Sequence, residues 1–367
     1  MGQPLTIKFM RRSAFIKNAS LSYGIIMLMI RGRFMSYLSF GYTKTAYNYI
    51  RSYKEGAWQK GTLTKEDRLT IPSMATALHY GQEAFEGLKA FRRQDGRVQI
   101  FRPYENAKRF QGSCQYLLMP TIEIEDFVEA VYETVKANLA YVPAYDSGGA
   151  LYIRPYMLGV GETLAPVPSQ EYLFGVIVTP VSSLYKGSLK PVNLWASEYD
   201  RVAPLGTGQF KIGGNYAASL FAQNVAKSKG YDDALFLDPL THTKIEEVGA
   251  ANFFGITKDH VYITPESPSV LKSITNKSLR VIVKDILGLT ISNGDIYIDH
   301  LEDLAEAGAC GTAAVITPIR SLSHKNEVHV FPTQDETGPI TKKLYDILTA
   351  IQKGDVEDFK DWTLLVE

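Results

Sequence analysis

The spacing of apolar residues alternates along the chain between the two-residue period of strands and the 3.6-residue period of helices. DFVEAVYETVKANLA places apolar residues 127, 128, 131, 135 and 139 on one face of a helix. YLFGVIVTP is almost continuously apolar, which is typical of a central strand. No repeat or low-complexity tract interrupts this alternation after Phe40. The pattern predicts a mixed α/β (α+β) fold.

Several other segments carry the signals of single elements. VQIFRPYENAKRF predicts a strand that runs into a helix, and ALYIRPYML predicts a strand. ATALHYGQEAFEGLKAF predicts strands around a glycine-bearing turn, and HLEDLAEAG predicts a short helix. Helices are also expected from about Asn215 to Lys229, ended by Gly230, and over PITKKLYDILTAIQKG.

The length of 367 residues exceeds what one ordinary core supports and predicts two domains. SSLYKGSLKP, residues 182–191, has the Ser, Gly and Pro content of a connector. We therefore expect a smaller N-terminal α/β domain over residues 40–181 and a larger C-terminal domain over residues 192–367.

Residues 1–39 differ in composition from the rest of the chain, because basic residues recur there without any acidic residue. The apolar run GIIMLMI is too short to span a bilayer and leads into Arg31 and Arg33, which argues against a secretory signal. A translation start at Met35 is the favoured interpretation. A mitochondrial transit peptide is the second, and other origins stay open.

Overall composition restricts the partners. The formal net charge is zero, with 39 basic and 39 acidic residues, so no overall field attracts nucleic acid or an anionic membrane. Cys114 and Cys310 lie far apart and offer no disulfide framework, which favours a reducing compartment such as the cytoplasm. The six histidines lack metal-ligand spacing. We expect no nucleic-acid partner, no membrane partner and no catalytic metal.

The stretch GTGQFKIGGNYAAS, residues 206–219, sets a single lysine, Lys211, between two groups of glycines. Glycines let a backbone approach a ligand closely, so this lysine is either a phosphate clamp or a reactive amine. A P-loop needs its lysine directly after glycine and before Ser or Thr, whereas Phe210 and Ile212 flank Lys211. No GxGxxG fingerprint lies here either. What remains is a reactive amine that forms a Schiff base with a carbonyl.

Five motifs in order closely resemble those of the branched-chain amino acid aminotransferases, which are fold-type IV pyridoxal phosphate (PLP) enzymes. They are HYGQEAFEGLKAF, LYIRPYMLG, GTGQFKIGGNYAASL, IEEVGAANFF and CGTAAVITPI. The resemblance runs from about Phe40 to the C-terminus and is greatest to the bacterial form, with its approach YDRVAPLGTG. It implies a fold-type IV aminotransferase in which the C-terminal domain binds PLP and the active site lies between the domains.

The activity that the resemblance implies is a transamination. L-Leucine, L-isoleucine or L-valine reacts with 2-oxoglutarate and gives a branched-chain 2-oxo acid and L-glutamate. This reaction is the last step of branched-chain amino acid synthesis or the first step of degradation. Because members of the family are homodimers, the resemblance also implies a homodimer.

The resemblance assigns residues to the cofactor. Lys211 matches the lysine that binds PLP covalently and moves the proton between Cα and C4′. Glu247 matches the carboxylate that pairs with the pyridine nitrogen, while its neighbour Glu246 should point the other way along a strand. Tyr216 matches the hydroxyl that bonds the phenolate oxygen. The residues that match the phosphate site are Arg109, Ile274, Thr275 and Thr312.

For the substrate, the resemblance implies an apolar pocket with one polar wall. Its aromatic lining would consist of Tyr80, Phe85 and Tyr152. The amides of Thr312 and Ala313, together with the Tyr152 hydroxyl, match the groups that hold the α-carboxylate. Arg154 matches the residue that helps to receive the second carboxylate of glutamate or 2-oxoglutarate.

The chain departs from the animal enzymes next to Thr312. Those enzymes carry a CxxC pair just after the corresponding threonine, whereas this chain has Ala314 and Thr317 at these places. We therefore expect no thiol switch here.

Three alternatives stay open at this stage. Another fold-type IV enzyme, such as a D-amino acid aminotransferase or an aminodeoxychorismate lyase, shares the lysine and the glutamate. A non-catalytic PLP-binding regulator would keep the cofactor without catalysing proton exchange at Cα. An inactive structural homologue is poorly supported, because every expected functional position is filled.

Overall fold

The protein alternates many short strands with a few helices. This computed structural model describes residues 41–182, 189–333, 335–356 and 360–367, so the predictions for residues 1–39 and for most of the connector 182–191 lie outside the described residues. In chain order the strands are β1 Asn48–Lys54, β2 Ala57–Trp58, β3 Thr62–Thr64, β4 Glu83–Phe85, β5 Leu88–Arg92, β6 Val98–Phe101, β7 Ala150–Gly159, β8 Tyr172–Val181, β9 Val192–Ala196, β10 Asp233–Leu237, β11 Ile245–Val248, β12 Ala251–Thr257, β13 Tyr262–Thr264, β14 Ile291–Asn293, β15 Leu304–Gly311, β16 Val315–His324, β17 Glu327–Val330 and β18 Thr363–Val366.

Six α-helices connect or cover these strands within the described residues. They are α1 Thr76–Tyr80, α2 Pro103–Tyr116, α3 Ile124–Ala137, α4 Gly213–Ser228, α5 Ile274–Val281 and α6 Pro339–Lys353. A π-helical turn, Ile282–Ile286, extends α5, and two short 3-10 turns, Leu139–Tyr141 and Tyr145–Ser147, follow α3.

The first sheet has nine antiparallel strands in the order β18-β6-β5-β7-β8-β1-β2, with β3 paired to β1 and β4 paired to β7. Strand β8, the continuous apolar run, lies between β7 and β1, as predicted for a central strand. Helices α2 and α3 cover this sheet through buried aromatic rings. Phe110 of α2 lies 5.4 Å from Phe127 of α3 and 5.8 Å from Phe174 of β8, measured between ring centroids. All three side chains are excluded from water, which supplies about 1.5–3 kcal/mol each.

The second sheet also has nine strands, in the order β11-β10-β9-β16-β15-β12-β13-β14, with β17 paired to β16. Strand β11 pairs with β10 on one side and with β12 on the other, so six strands of this sheet form a closed ring. Strand β9 is parallel to both β10 and β16, and most other pairs are antiparallel. The core of this sheet is aliphatic, with buried residues such as Leu194, Leu235 and Ile319.

Two segments differ from their sequence-based predictions. HLEDLAEAG was expected to be helical, but most of it forms β15, because pairing with β12 and β16 outweighs the weak helical pattern of this short segment. Within ATALHYGQEAFEGLKAF, the first residues form the helical turn α1, which Gly81 ends at a φ of 62°. The other elements named from the sequence occur where they were predicted, with ends that shift by a few residues.

The two sheets divide the chain close to the predicted connector. Strands from Asn48 to Val181 build the first sheet and strands from Val192 to Val330 build the second, whereas β18 returns to the first sheet and pairs with β6. The two-domain division stays a prediction. Among the described residues, no helix has the length and apolar character needed to cross a membrane.

Candidate active site

Lys211 lies just before α4 and is fixed by its own backbone. Its amide donates to the Ser113 hydroxyl at 2.9 Å, and its carbonyl accepts from the Phe85 amide at 3.1 Å. Its side-chain amine donates to the Tyr216 hydroxyl at 2.7 Å and lies 4.6 Å from the centre of the Phe85 ring. The amine is therefore held at a defined point between an aromatic face and a hydroxyl.

The glycines and Asn215 around this lysine shape the approach to it. The Asn215 amide group donates to the carbonyls of Thr207 and Phe210, which closes the preceding loop onto α4. A Cβ at Gly208 would lie 2.3 Å from the Ser269 carbonyl oxygen, so only glycine allows this contact between two backbones. The glycine-rich motif therefore positions the lysine rather than wrapping a nucleotide.

Burial sets the protonation of the Lys211 amine. Its pKa falls from 10.5 to about 8, mainly because of desolvation and in smaller part because of the positive charge of Arg109. Burial also raises the pKa of Tyr216 to about 12, with a further contribution from the Glu247 carboxylate. The site therefore holds a neutral hydroxyl beside an amine that releases its proton unusually easily.

Glu247 lies on β11 and is almost fully buried. One carboxylate oxygen accepts from the Leu271 amide at 2.7 Å and from the Asn252 side chain at 3.1 Å. The other lies 3.3 Å from Nε of buried Arg201. Burial raises the pKa of Glu247, while Arg201 and the Leu271 amide oppose that rise.

The neighbouring carboxylate, Glu246, has separate partners. Its carboxylate accepts hydrogen bonds from the hydroxyls of Ser267 and Ser269. Among the described contacts, neither serine forms a hydrogen bond with Glu247. Adjacent strand residues point to opposite faces, so the predicted divergence of Glu246 and Glu247 agrees with their contacts.

Arg109 extends from α2 and meets Glu86 in a two-pronged ion pair. Its Nε donates to one oxygen of the Glu86 carboxylate at 2.7 Å, and Nη2 donates to the other at 2.8 Å. Its Nη1 donates to the Lys272 carbonyl at 3.2 Å, directly before α5. Burial disfavours the charge of Arg109, but Glu86 outweighs burial and raises its pKa.

The start of α5 lies beside this arginine. The Ser273 hydroxyl caps the helix by accepting from the Asn276 amide at 3.2 Å. Ile274 and Thr275 occupy the first turn, where helix geometry leaves backbone amides without partners inside the helix. Such a turn attracts anions.

The turn after β15 closes the site from the second sheet. The Thr312 hydroxyl donates to the Gly87 carbonyl at 3.1 Å, and the Lys89 amine donates to the Ala313 carbonyl at 2.8 Å. Thr275 and Thr312 line one small cavity together with Gly87. Ala313 is thus held beside the same segment of the first sheet.

Phe85, Tyr152 and Arg154 form the aromatic and cationic wall. The Arg154 guanidinium lies over the Phe85 ring at 4.6 Å and over the Tyr152 ring at 5.2 Å, and Nη2 donates to the Tyr152 hydroxyl at 2.9 Å. Phe85 also meets the Tyr216 ring edge-on, with centroids 4.9 Å apart. Nothing among the described residues accepts a hydrogen bond from the buried Nε of Arg154.

Tyr80 is the one predicted site residue that the described contacts do not bring to this cluster. It ends α1, its side chain is 46 % exposed, and its hydroxyl donates to the Leu164 carbonyl. No described contact joins it to Lys211, Phe85 or Tyr152 within the chain. Its role in lining the substrate pocket stays a prediction.

Two buried charges at the site were missed from the sequence. Arg201 contacts Glu247, and Glu86 contacts Arg109. Glu86 is part of the motif HYGQEAFEGLKAF and Arg201 is part of YDRVAPLGTG, so both lay inside recognised motifs. Only the fold shows that each of them pairs with a group of opposite charge.

The arrangement fits a phosphorylated pyridine aldehyde. Arg201, Tyr216 and Glu247 border one small cavity, and a larger cavity of about 580 Å³ borders Arg109 and the start of α5. An easily deprotonated amine suits an aldehyde, a buried carboxylate suits a ring nitrogen, and the arginine with the helix start suits a phosphate.

The profile of the amino-transferase class IV family matches residues 83–322, which include every part of this site. The chain belongs to this family. Class IV aminotransferases depend on PLP, so the predicted cofactor and the predicted fold class are confirmed.

Individual proteins agree with this assignment. The branched-chain-amino-acid aminotransferase of Haemophilus influenzae is 51% identical over 335 residues, which cover 90% of this chain and 98% of that protein. The Helicobacter pylori enzyme of the same name is 50% identical, over 89% of this chain and 95% of its own. The crystal structure of the Escherichia coli branched-chain amino acid aminotransferase matches with a TM-score of 0.74 and 25% identity, over 88% of this chain and all of that one. The resemblance to the branched-chain enzymes is confirmed.

The lowered pKa of Lys211 predicts the pH dependence of PLP capture. The apoprotein should capture PLP with a rate midpoint near pH 8, because the neutral amine is the nucleophile and its pKa is about 8. The rate should rise with pH through that midpoint. Stopped-flow absorbance between pH 6 and about 10 measures it, with Nα-acetyl-lysine as the solvated reference. A midpoint at the ordinary lysine value would contradict desolvation of the amine.

Proposed function

We propose that this class IV aminotransferase transfers the amino group of L-leucine, L-isoleucine or L-valine to 2-oxoglutarate. The products are the branched-chain 2-oxo acid and L-glutamate. The observation that carries the proposal is the pairing of an easily deprotonated Lys211 amine with an apolar wall that also contains an arginine. The relatives at about half identity carry the same activity in their names.

Each residue around the cofactor has a defined role in this proposal. When bound, PLP withdraws electrons from Cα of the amino acid, which makes the Cα proton acidic. Lys211 binds the cofactor and then carries that proton, since its amine loses a proton near neutral pH. Tyr216 holds the amine in place through the hydrogen bond of 2.7 Å.

Glu247 would pair with the ring nitrogen and keep it protonated. Its carboxylate is oriented by Arg201, Asn252 and the Leu271 amide, so it has little freedom to turn away. Arg201 is therefore part of the proposal as the residue whose positive charge opposes the rise that burial causes in the Glu247 pKa.

The phosphate would lie between Arg109 and the first turn of α5. Ile274 and Thr275 would donate their amides, and Thr312 would close the cradle from the second sheet. Anchoring the phosphate at one end and the ring nitrogen at the other fixes the ring relative to Lys211.

One pocket can serve both substrates because its wall is both apolar and cationic. The rings of Phe85 and Tyr152 would bury a branched side chain, at about 0.8 kcal/mol per methylene. Arg154, with its unpaired Nε, would receive the second carboxylate of 2-oxoglutarate. The α-carboxylate would bind the amides of Thr312 and Ala313 and the Tyr152 hydroxyl.

The predicted cytoplasmic location is also part of this proposal. The reduced, buried cysteines agree with a cytoplasmic protein, and burial raises the pKa of Cys310, which disfavours its thiolate.

The other fold-type IV activities gain no support from the relatives, whose names specify branched-chain substrates.

The first test follows both half-reactions by absorbance. With PLP bound, L-leucine should bleach the visible band of the cofactor, and 2-oxoglutarate should restore it. Lys211→Ala should abolish turnover while leaving the fold, because no other described amine replaces the one beside Tyr216. Conversion by D-alanine but not by L-leucine would contradict the substrate assignment and keep the family.

The second test asks whether Arg154 contributes to the reaction of 2-oxoglutarate more than to that of L-leucine. Arg154→Met should lower kcat/KM for 2-oxoglutarate by about 10- to 100-fold, because a charge-assisted hydrogen bond is lost, and should change kcat/KM for L-leucine much less. The matched control is Arg51→Met, since Arg51 also lies over an aromatic ring but has its described ion pair with Asp126, which does not belong to the site. Equal losses for both substrates would contradict the role of Arg154.

The third part of the proposal is a homodimer. The Tyr80–Leu164 hydrogen bond joins two segments that expose apolar side chains, namely Leu78, Tyr80, Leu164 and Val167. Monomeric proteins seldom leave such a patch open, so we propose that it packs against a second copy. Light scattering should give twice the chain mass, and Leu164→Asp should shift the protein toward monomer. Leu240→Asp, at another exposed leucine, serves as the control, and a monomeric wild type would reject the dimer.

A further inference from the structure

The Glu86 carboxylate is fully buried, yet no task in catalysis has been given to it. Its two oxygens accept from Nε and Nη2 of Arg109, at 2.7 and 2.8 Å, and one of them also accepts from the Gly87 amide at 3.1 Å. The backbone of Glu86 is anchored too, because its amide donates to the Pro155 carbonyl at 2.8 Å. The carboxylate is therefore a rigid acceptor placed opposite the arginine.

This pairing determines which edge of Arg109 is available. Two of the three guanidinium nitrogens face Glu86, and only Nη1 is directed toward the Lys272 carbonyl at the start of α5. A guanidinium is planar, so fixing one edge fixes the direction of the other donors. The orientation of Arg109 toward the phosphate cradle is set before any ligand arrives.

A charge argument excludes simple attraction as the reason for Glu86. The pair is neutral overall, so Glu86 weakens the pull of Arg109 on a phosphate instead of strengthening it. A free arginine would attract the anion more strongly but would have to lose side-chain freedom on binding. If the carboxylate favours phosphate binding at all, it does so through geometry.

We propose that Glu86 is a positioning residue that holds Arg109 with Nη1 directed at the phosphate of the cofactor. The proposal rests on the proposed function, because it assumes that Arg109 contacts that phosphate. A geometric effect and an electrostatic effect of Glu86 predict opposite changes in PLP affinity when the carboxylate is neutralised.

The test compares PLP with pyridoxal, which lacks the phosphate, on the apoproteins of Glu86→Gln and Glu86→Asp. Fluorescence titration gives the dissociation constant of each ligand. Both variants should bind PLP at least about tenfold more weakly, the size of one lost oriented hydrogen bond to a charged group. Pyridoxal affinity should change by less than about twofold, because Glu86 acts only through the phosphate.

Glu86→Asp separates geometry from charge. Aspartate keeps the charge but is one methylene shorter, so it cannot reach both nitrogens of Arg109 from the same backbone position. A positioning role predicts that Glu86→Asp loses PLP affinity as Glu86→Gln does. Because leaving Arg109 buried without its partner can unfold a protein, Glu86→Asp carries the test if Glu86→Gln cannot be purified.

Two further comparisons complete the design. In an Arg109→Gln background, Glu86→Gln should cost no additional PLP affinity, since the two residues act as one unit. Asp126→Asn breaks the Arg51–Asp126 pair, which joins β1 to α3 at 2.6 Å, and should leave the affinity for both ligands unchanged. Thermal unfolding of each apoprotein records the purely structural cost.

Each remaining outcome overturns the proposal. Unchanged PLP affinity in both variants, or tighter PLP binding by Glu86→Gln, would show that geometry does not control the phosphate site. Equal losses of affinity for PLP and for pyridoxal would show that Glu86 stabilises the protein around Arg109 and does not act through the phosphate. Failure of the wild-type protein to bind PLP would instead reject the proposed function, and the positioning role with it.

Discussion

Exclusion of water from the Lys211 amine is the constraint on which the rest of the site depends. Desolvation is the main cause of the lowered amine pKa, but it also makes every nearby charge costly. Two of the buried carboxylates are tolerated because each pairs with a guanidinium group, Glu86 with Arg109 and Glu247 with Arg201. Removing either member would leave an uncompensated charge beside the amine.

The short segment that begins at Phe85 connects these parts. Its residues contact the lysine backbone, the Arg109 guanidinium and the turn after β15 in succession, and so it links the two sheets at the site. The residues that make those contacts are Phe85, Glu86, Gly87 and Lys89. A Cβ at Gly87 would lie 2.3 Å from the Tyr152 hydroxyl, so a larger residue there would displace the Tyr152 side chain. The positions of the Lys211 amine, the Arg109 guanidinium and the turn after β15 therefore depend on one another through the five consecutive residues 85–89.

The sequence predicted the elements with strong periodicity and the residues that belong to long motifs. Helix α3 and strand β8 were identifiable because their apolar patterns are distinct, and Lys211 was identifiable because glycines flank it. The strand in HLEDLAEAG was misjudged, since a short amphipathic pattern does not reveal pairing on both sides. Arg201 and Glu86 could not be assigned, because their partners are far away in sequence and a buried ion pair leaves no local signal. Tyr80, by contrast, belongs to a recognised motif, but no described contact joins its side chain to the site.

The closed ring of strands has a consequence for the two adjacent carboxylates of β11. Strand side chains alternate between the two faces, so a slip of one residue would put Glu246 in the place of Glu247. Glu247 is opposite Phe236 on β10 and opposite Asn252 on β12, so a slip would have to break both ladders at once. If β11 were an edge strand, only one ladder would have to break. Closure of the ring therefore fixes the register of β11, and with it which of the two carboxylates would reach the ring nitrogen in the proposed arrangement.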